Sequence, residues 1–396
     1  MFRIGTLSAC ALIACATVAS VRSAQPENAT QSEPDRAKVL VQGLGDSSFQ
    51  VRRESAQKLK ELGLAARPAL IAGAKDSDPE IRYRASRLLE QVEQLDHQQR
   101  LERFLKAPEQ APDDLLPGLK RFRKTVGTNP ASLELFARMQ RAEPKLFRRL
   151  DAGGKQFQTQ FEQRCAELQY AYRDKTIRRR IPENVHALLF LAAEPELKTS
   201  DRTESLIYSF VNYKEVRASL TGDRKDPAVR KLIGAWVAKP SGWRKYFKLL
   251  LALRHNLPEG LKPALETVQG GTSNSQVQYG VLAIGKFGGK EYLPKLEELF
   301  SNQSVLSYSK SRGKTIYSCQ VRDVALASAL HLTGQDPKQY GFERLRKHPE
   351  YLFWPGTAGF KSEKDRKAAF RKWKQWKAAN LESADSPRDA TGAKSR

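Results

Sequence analysis

The stretch nearest to a catalytic or ligand-binding motif is Gly280-Val-Leu-Ala-Ile-Gly285-Lys286-Phe287, which almost spells a phosphate-binding P-loop. That motif requires Ser or Thr after the lysine to hold Mg²⁺, and a strand before the glycines. Here Phe287 occupies the hydroxyl position, and the surrounding pattern is helical. The sequence therefore predicts no nucleotide site, and we interpret Gly280 and Gly285 as positions of close helix packing.

Histidine and cysteine, the usual nucleophiles and metal ligands, show no productive spacing either. None of the five histidines pairs with another at a ligand or triad spacing, and neither Cys165 nor Cys319 lies in a Cys-x-x-Cys or Cys/His pattern. A disulfide between Cys165 and Cys319 is possible in an exported protein, and two buried free thiols explain them equally well. We predict no catalytic residue, no cofactor and no metal site. An enzyme whose carboxylates meet only in the fold is kept as a third class of function.

Two segments thirty residues apart repeat one pattern. Asp46-Ser-Ser-Phe-Gln-Val51-Arg52 opens one apolar-periodic helix, and Asp76-Ser-Asp-Pro-Glu-Ile81-Arg82 opens the next. A fixed period of this length is typical of stacked helical hairpins, in which each hairpin needs its neighbour to bury its apolar face. The pattern predicts an all-α fold, an α-solenoid.

These residues resemble HEAT repeats, and the chain as a whole is similar to uncharacterised exported bacterial proteins of that type. Pro68 should start or bend the first helix of the second hairpin, and Asp76 or Asp78 should cap its second helix. The resemblance implies that Ile81 packs into the neighbouring repeat, that Arg82 bonds to turn groups of adjacent repeats, and that the protein is a binding scaffold. The positions that carry it are Asp46, Val51, Arg52, Pro68, Asp76, Ile81, Arg82, Pro263, Pro294, Val321 and Arg322.

Composition and proline positions divide the chain into seven segments. The middle is helical and basic, and degenerate repeats are possible there. The Ser- and Tyr-rich insertion at 301–318 favours a β-hairpin. The segments are a signal peptide (1–24), a flexible lead-in (25–36), an N-terminal HEAT pair (37–96), the basic middle region (97–260), C-terminal HEAT-like repeats with the insertion (261–340), an aromatic and basic cap (341–380) and a disordered tail (381–396).

The N-terminus predicts export. Arg3 precedes an uncharged apolar run from Ile4 to Ser20, and cleavage is expected on either side of Ala24. An uncleaved anchor is an alternative, although the run is short for a stable membrane span. Leu12-Ile13-Ala14-Cys15 also resembles a lipobox, which would place a lipid on Cys15. We expect a periplasmic or extracellular protein with no transmembrane helix in the mature chain.

Positive charge is concentrated outside the clearest repeats. The net charge is +24 overall, +10 in residues 120–180 and +8 in residues 344–378. Such clusters could bind phosphate or sulfate groups, or could be ordinary solvated helix faces. The candidate polyanion-binding residues are Lys120, Arg121, Arg123, Lys124, Arg178, Arg179, Arg180, Arg371, Lys372, Trp373, Lys374 and Trp376.

The C-terminal helix also allows two interpretations. Ser362-Glu-Lys-Asp365 resembles a capping box, and Trp373 and Trp376 follow at helical spacing among lysines. The helix could lie on an anionic membrane or polymer, or it could seal the last repeat with its tryptophans.

We therefore expect a non-enzymatic exported scaffold that binds a protein partner through its repeat surface. The alternative is a module that binds an anionic membrane surface, a polysaccharide or nucleic acid through the two basic zones. Export makes nucleic acid the least favoured of these ligands.

Overall fold

A computed structural model describes residues 32–174, 181–221, 225–239, 245–270, 273–310 and 315–382. The predicted signal peptide, most of the lead-in, Arg178, Arg179 and Arg180, and the tail from residue 383 lie outside the described residues. The chain divides into two compact units, with the boundary between Glu93 and Gln94.

The first unit consists of helical hairpins, as the repeat predicts. Proline stands at the start of α1 and of α3, where its missing N–H is not needed. Gly73 makes close packing possible, because a Cβ there would lie 2.5 Å from Cγ1 of Val41. The helices are α1 (Glu33–Gln42), α2 (Phe49–Leu62), α3 (Arg67–Gly73) and α4 (Pro79–Lys106), the last of which continues into the second unit.

The turns of the two repeats have the same hydrogen bonds. Arg52 Nη1 donates to the carbonyls of Asp46 (2.6 Å) and Ser47 (2.9 Å). Arg82 Nη1 donates to the corresponding carbonyls of Asp76 (2.5 Å) and Ser77 (3.1 Å). Each arginine therefore closes the turn of its own repeat, and the implied bond to an adjacent repeat is wrong.

Aspartate side chains complete the second turn. Asp76 Oδ1 accepts the N–H of Asp78, and Asp78 Oδ1 accepts the N–H groups of Glu80 and Ile81. The predicted cap of α4 is therefore formed by Asp78, while Asp76 stabilises the turn before it.

Val51 and Ile81 occupy equivalent positions in the repeat but differ in burial. Ile81 is buried at 5% exposure, and its side chain fills the space beside Gly45 of the preceding turn. Val51 is 39% exposed. Ile81 packs as the resemblance implies, and Val51 differs because within residues 32–93 no repeat precedes it to cover its side chain.

The second unit is also helical, with one two-stranded hairpin, and the all-α expectation is confirmed. Its helices are α5 (Leu119–Thr125), α6 (Pro130–Ala142), α7 (Pro144–Leu150), α8 (Gly154–Ala171), α9 (Ile181–Ala192), α10 (Asp201–Val211), α11 (Lys214–Arg217), α12 (Pro227–Ala238), α13 (Lys245–His255), α14 (Leu261–Gln269), α15 (Asn274–Phe287), α16 (Leu293–Glu297), α17 (Val321–Leu332) and α18 (Glu363–Lys377).

This unit has two apolar cores. In the first, α6 and α12 pack on α9, and a cluster of phenylalanines around Phe136 and Phe190 fills the centre. In the second, α15 packs between α14 and α17. Cys165 is buried in the first core and Cys319 in the second, and both are free thiols. Burial raises the pKa of both thiols, that of Cys319 to about 12, so both stay protonated.

The insertion forms the predicted β-hairpin, β1 (Val305–Lys310) with β2 (Ile316–Gln320), paired antiparallel. Ser318 of β2 also pairs with Phe360, which joins the hairpin to the segment before α18. Arg366 of α18 is buried and bonds both oxygens of Asp323 (2.7 and 3.1 Å) and the carbonyl of Ser318 (2.9 Å). One guanidinium thus fixes α17, β2 and α18 to each other.

The C-terminal repeat residues take part in helix starts and packing. Pro294 is near the start of α16, and Pro263 is buried within the first turn of α14. Val321 begins α17, whose Gln320 and Asp323 form a capping box. Arg322 differs from the N-terminal arginines, because it bonds Glu363 of α18 (2.8 Å) and the side chain of Gln320.

Two histidines are buried without hydrogen-bond partners for either ring nitrogen among the described residues, His186 of α9 and His255 of α13. Burial lowers the pKa of each to about 4. Arg138 reinforces the effect at His186 and Asp226 opposes it, while Arg254 and Arg230 reinforce it at His255 and Glu350 opposes it.

Acid should therefore destabilise the second unit. The unfolded histidines bind protons near pH 6.5 and the folded ones only near pH 4, so the free energy of unfolding falls as pH drops through this window. At pH 4.5 the loss from His186 should be about 2 kcal/mol. Urea unfolding of wild type and His186→Leu at pH 7.0, 5.5 and 4.5 tests this expectation. The variant should lose less stability on acidification, and identical pH slopes would show that His186 is not the cause.

Candidate functional site

The basic cluster at residues 120–124 lies on α5, at the edge of a groove of about 1280 Å³ in the second unit. Gly118, with φ of +80°, makes the turn into α5. The floor includes Leu116, Leu150, Phe157 and Leu197, and charged side chains of both signs stand around it.

Two of the four predicted polyanion-binding residues on α5 make contacts that stabilise the fold. The guanidinium of Arg121 lies 3.7 Å from the ring centroid of Phe190, donates to the Phe190 carbonyl (3.0 Å) and pairs with Glu194 (2.8 Å). Arg123 pairs with Asp113 (2.7 Å) and donates to the carbonyl of Pro108 (2.9 Å). These partners neutralise the positive charges of Arg121 and Arg123, so the two side chains offer little attraction to a polyanion.

The exposed cations of the groove are Lys120, Lys124, Lys155 and Lys198. Within the part of the chain that the structure describes, these four lysines form no ion pair. Asp114, Asp151 and Glu196 stand among them. The groove is therefore mixed in charge, with an excess of lysine at α5.

Helix α18 packs on the second core, as the cap interpretation expects. Trp373 is 1% exposed, its ring lies edge-on to Phe300, and its Nε1 donates to Glu297 (2.9 Å). Ser362 caps the helix by accepting the N–H of Asp365. The prediction that Trp373 contacts a polyanion is wrong, because its apolar ring is used in the core.

The remaining polyanion-binding candidates on α18 differ in burial and in their contacts. Trp376 is partly buried beside Trp373. Lys372 donates to the carbonyl of Gln339 (2.6 Å), and Arg371 and Lys374 are exposed. Of these candidates, Arg371 and Lys374 are therefore the cations left exposed on α18 near a packed aromatic pair.

Many other cations of the second unit bind main-chain carbonyls where helices end. Lys231 donates to Val126 at the end of α5 (2.7 Å), and Lys239 to Ala192 at the end of α9 (2.8 Å). Lys286 donates to Leu253 in the last turn of α13 (2.9 Å), and Arg230 to His255 at its end (3.0 Å). Helix C-terminal carbonyls lack intrahelical partners and carry partial negative charge, so a cation stabilises them. Part of the basic composition is thus structural.

A buried ion pair lines a small cavity of the second unit. Lys248 and Glu204 are 1% and 5% exposed, with Nζ 3.1 Å from Oε2. Glu204 also accepts from Trp236 Nε1 (3.2 Å) and from Thr199 Oγ1 (2.5 Å). Burial lowers the pKa of Lys248 against the attraction of Glu204, and lowers that of nearby Lys239 to about 8. Sequence reasoning missed this pair.

A continuous row of aromatic rings crosses the second unit, and we call it the aromatic track. Consecutive members are in ring contact, with centroids 4.1 to 5.7 Å apart. In spatial order the track consists of Tyr208, Phe247, Tyr246, Tyr279, Tyr351, His348 and Trp354.

The track is partly exposed along its length. Trp354 is 50% exposed, and the other members are intermediate between buried and exposed. Tyr208 packs on the first core and Tyr279 on the second, so the track crosses from one core to the other. Charged neighbours form two pairs, Glu204 with Lys248 at one end and Arg254 with Glu350 (3.4 Å) at the other. Arg346 and Lys347, beside Trp354, are exposed and form no ion pair with a described residue, so that end of the aromatic surface carries positive charge.

Only a fragment of the track is visible in the sequence, the aromatic cluster around Tyr351 and Trp354. The other rings come from α10, α13 and α15, far apart along the chain. Regularly placed tyrosines on partly buried helix faces would have been the only signal, and such residues are more often plain core.

Within the described residues, no three His, Cys, Asp or Glu side chains are grouped so that they could hold a metal ion. Over the same residues, the helices include none with both the length and the apolar character needed to cross a bilayer.

The ion pair of Glu204 and Lys248 lies beside the track, and its contribution to stability can be tested by mutation. Lys248→Met should lower the free energy of unfolding by about 3–5 kcal/mol, because it leaves the Glu204 carboxylate buried without a counter-charge. Adding Glu204→Gln should restore much of that loss, because the amide carries no charge, its oxygen can still accept from Trp236 Nε1 and its NH2 group can donate to Thr199 Oγ1. Urea unfolding of both variants measures the difference. A double variant no more stable than Lys248→Met would contradict the account.

The comparisons with known proteins bear on the N-terminal part. The family model for HEAT repeats matches residues 37–113, which include both turns closed by Arg52 and Arg82. No curated protein matches the chain significantly. The groove beyond residue 113 and the aromatic track lie outside the family match. The match and the shared turn geometry agree: residues 37–113 of this chain are similar to HEAT repeats.

Proposed function

We propose that this protein is an exported, non-enzymatic scaffold that binds a protein partner through the aromatic track. HEAT repeats generally serve as protein-interaction scaffolds, and they are typically non-enzymatic. The observation that carries the proposal is the continuity of partly exposed rings from Tyr208 to Trp354.

Aromatic rings are the residues that most often anchor protein interfaces. Tyrosine and tryptophan bury large apolar areas, lose little side-chain entropy and keep a polar group for hydrogen bonding. Exposed apolar residues that occur singly need no explanation, whereas a contiguous patch marks an interaction site. The track is contiguous, and the charges of Glu204 with Lys248 and of Arg254 with Glu350 are paired beside it. A partner would therefore be held mainly by contact with the aromatic rings.

Export is part of the proposal and rests on the N-terminal pattern alone. Arg3 and the uncharged run from Ile4 to Ser20 support secretion with cleavage near Ala24, and Cys15 is the alternative site of lipid attachment.

A second candidate function is favoured by the groove beside α5. Its lysines Lys120, Lys124, Lys155 and Lys198 surround one concavity and are unpaired within the described residues. Four adjacent ammonium groups could bind an anionic lipid headgroup or polysaccharide, with steep salt dependence. Asp114, Asp151 and Glu196 in the same groove weaken this alternative.

Capture from an extract of the source cells distinguishes the two candidates. The immobilised full chain is compared with Tyr246→Ala/Tyr279→Ala and with Lys120→Glu/Lys124→Glu, and bound material is eluted in steps of increasing salt. We expect a protein partner that stays bound through 0.5 M salt and is lost, by at least tenfold, only from the tyrosine variant.

Tyr170→Ala is the matched control, because Tyr170 is a 60% exposed tyrosine of α8 outside the track. It should bind like wild type. Lipid or polysaccharide that elutes at moderate salt and disappears from the lysine variant would make the groove the functional site and overturn the proposal.

A further inference from the structure

We propose that the ligand of the aromatic track is a proline-rich segment in the polyproline II conformation. This inference rests on the proposed function, in which the track is the partner site, and it adds the chemical class of the partner.

The tilt of the rings favours a ridged ligand over a flat one. From Tyr208 through Phe247, Tyr246 and Tyr279 to Tyr351, neighbouring planes make angles of 52° to 79° at centroid spacings of 5.3 to 5.7 Å. Rings tilted in this way present an uneven surface of edges and faces. Bases and other flat ligands stack on ring faces presented side by side, whereas proline-rich helices insert their rings into aromatic-lined clefts.

The tyrosine hydroxyl groups of the track can supply the hydrogen-bond donors that a polyproline backbone lacks. Among the described residues, the phenol groups of Tyr208, Tyr246, Tyr279 and Tyr351 have no hydrogen-bond partner. They lie near one another: burial first, and then the other three phenols, raise the pKa of Tyr246. A polyproline II segment has no internal hydrogen bonds, and proline has no N–H, so its carbonyls need external donors. The four phenols are donors on the same surface.

The end of the track at Tyr208 holds a small cavity of about 150 Å³. It is lined by the rings of Tyr208, Phe247 and Trp236, by Ser205 and Ser209, and by the paired Glu204 and Lys248. A cavity of this volume accommodates one small side chain. A proline ring fits such a cavity without placing an unpaired polar group against the buried ion pair.

Charge distinguishes the two ends of the track. Lys248 is paired with Glu204 and Arg254 with Glu350, whereas Arg346 and Lys347, beside Trp354, are exposed and form no ion pair with a described residue. A polyanion needs cations that are free to replace its counterions, so the part of the track from Tyr208 to Tyr351 offers it little. A proline-rich segment gains affinity from ring contact and from its preformed backbone, which loses little entropy on binding.

The test is fluorescence anisotropy of the full chain with a labelled peptide of twelve residues built from Pro-Pro-Ala repeats, at 0.15 M salt. We expect saturable binding, and no binding of a Gly-Ser peptide of the same length. Tyr279→Ala should weaken binding at least tenfold. Tyr279→Phe, which keeps the ring and removes the donor, should weaken it by about three- to tenfold. Tyr170→Ala should leave it unchanged.

Failure of this inference is separable from failure of the proposed function. If the proline peptide does not bind, while capture of a protein partner still depends on Tyr246 and Tyr279, the proline-rich ligand is wrong and the track remains the partner site. Binding of a neutral cello-oligosaccharide or of oligothymidylate at the track, in place of the peptide, also overturns the inference. If neither the peptide nor a captured protein depends on the track, both proposals fail.

Discussion

The open carbonyls at helix ends are the constraint on which the second unit depends. A chain of many short helices exposes many C-terminal carbonyls, and each must find a donor when neighbouring helices bury it. Here lysine and arginine from another helix supply it, as Lys231 does for α5, Lys239 for α9 and Arg230 for α13. The same solution closes the HEAT turns, where Arg52 and Arg82 bond carbonyls of their own repeat. These contacts fix the helix ends and so the faces that the helices present.

This use of cations changes how the basic composition is interpreted. A net charge of +24 suggests a polyanion ligand, yet Arg121 and Arg123 are consumed by contacts within the second unit, and Trp373 by the core. The surface that we propose for recognition is the aromatic track, which is built from rings and not from these cations. The ion pair of Glu204 and Lys248 holds α10 and α13 together beneath it, so support and surface are built from the same helices.

Much of the fold could be predicted from sequence, because HEAT turns depend on local spacing. Asp76, Asp78 and Arg82 act within six residues, and the hairpin at 301–318 is local too. The exposure of Val51 could not be predicted, since burial at that position depends on a neighbouring repeat. The burial of Trp373 could not be predicted either, because aromatic residues at helical spacing give the same pattern whether the helix faces a membrane or a protein core. The track escaped detection because its rings meet only when α10, α13 and α15 pack.

The most direct test of the account is site-specific photo-crosslinking in the source cells. Benzoylphenylalanine is placed at position 279, in the track, or at position 124, in the lysine groove, and the adducts are identified by mass spectrometry. The account predicts a discrete protein adduct at position 279 and none at position 124. An adduct at position 124 with none at position 279 would show that recognition lies in the groove and would contradict it.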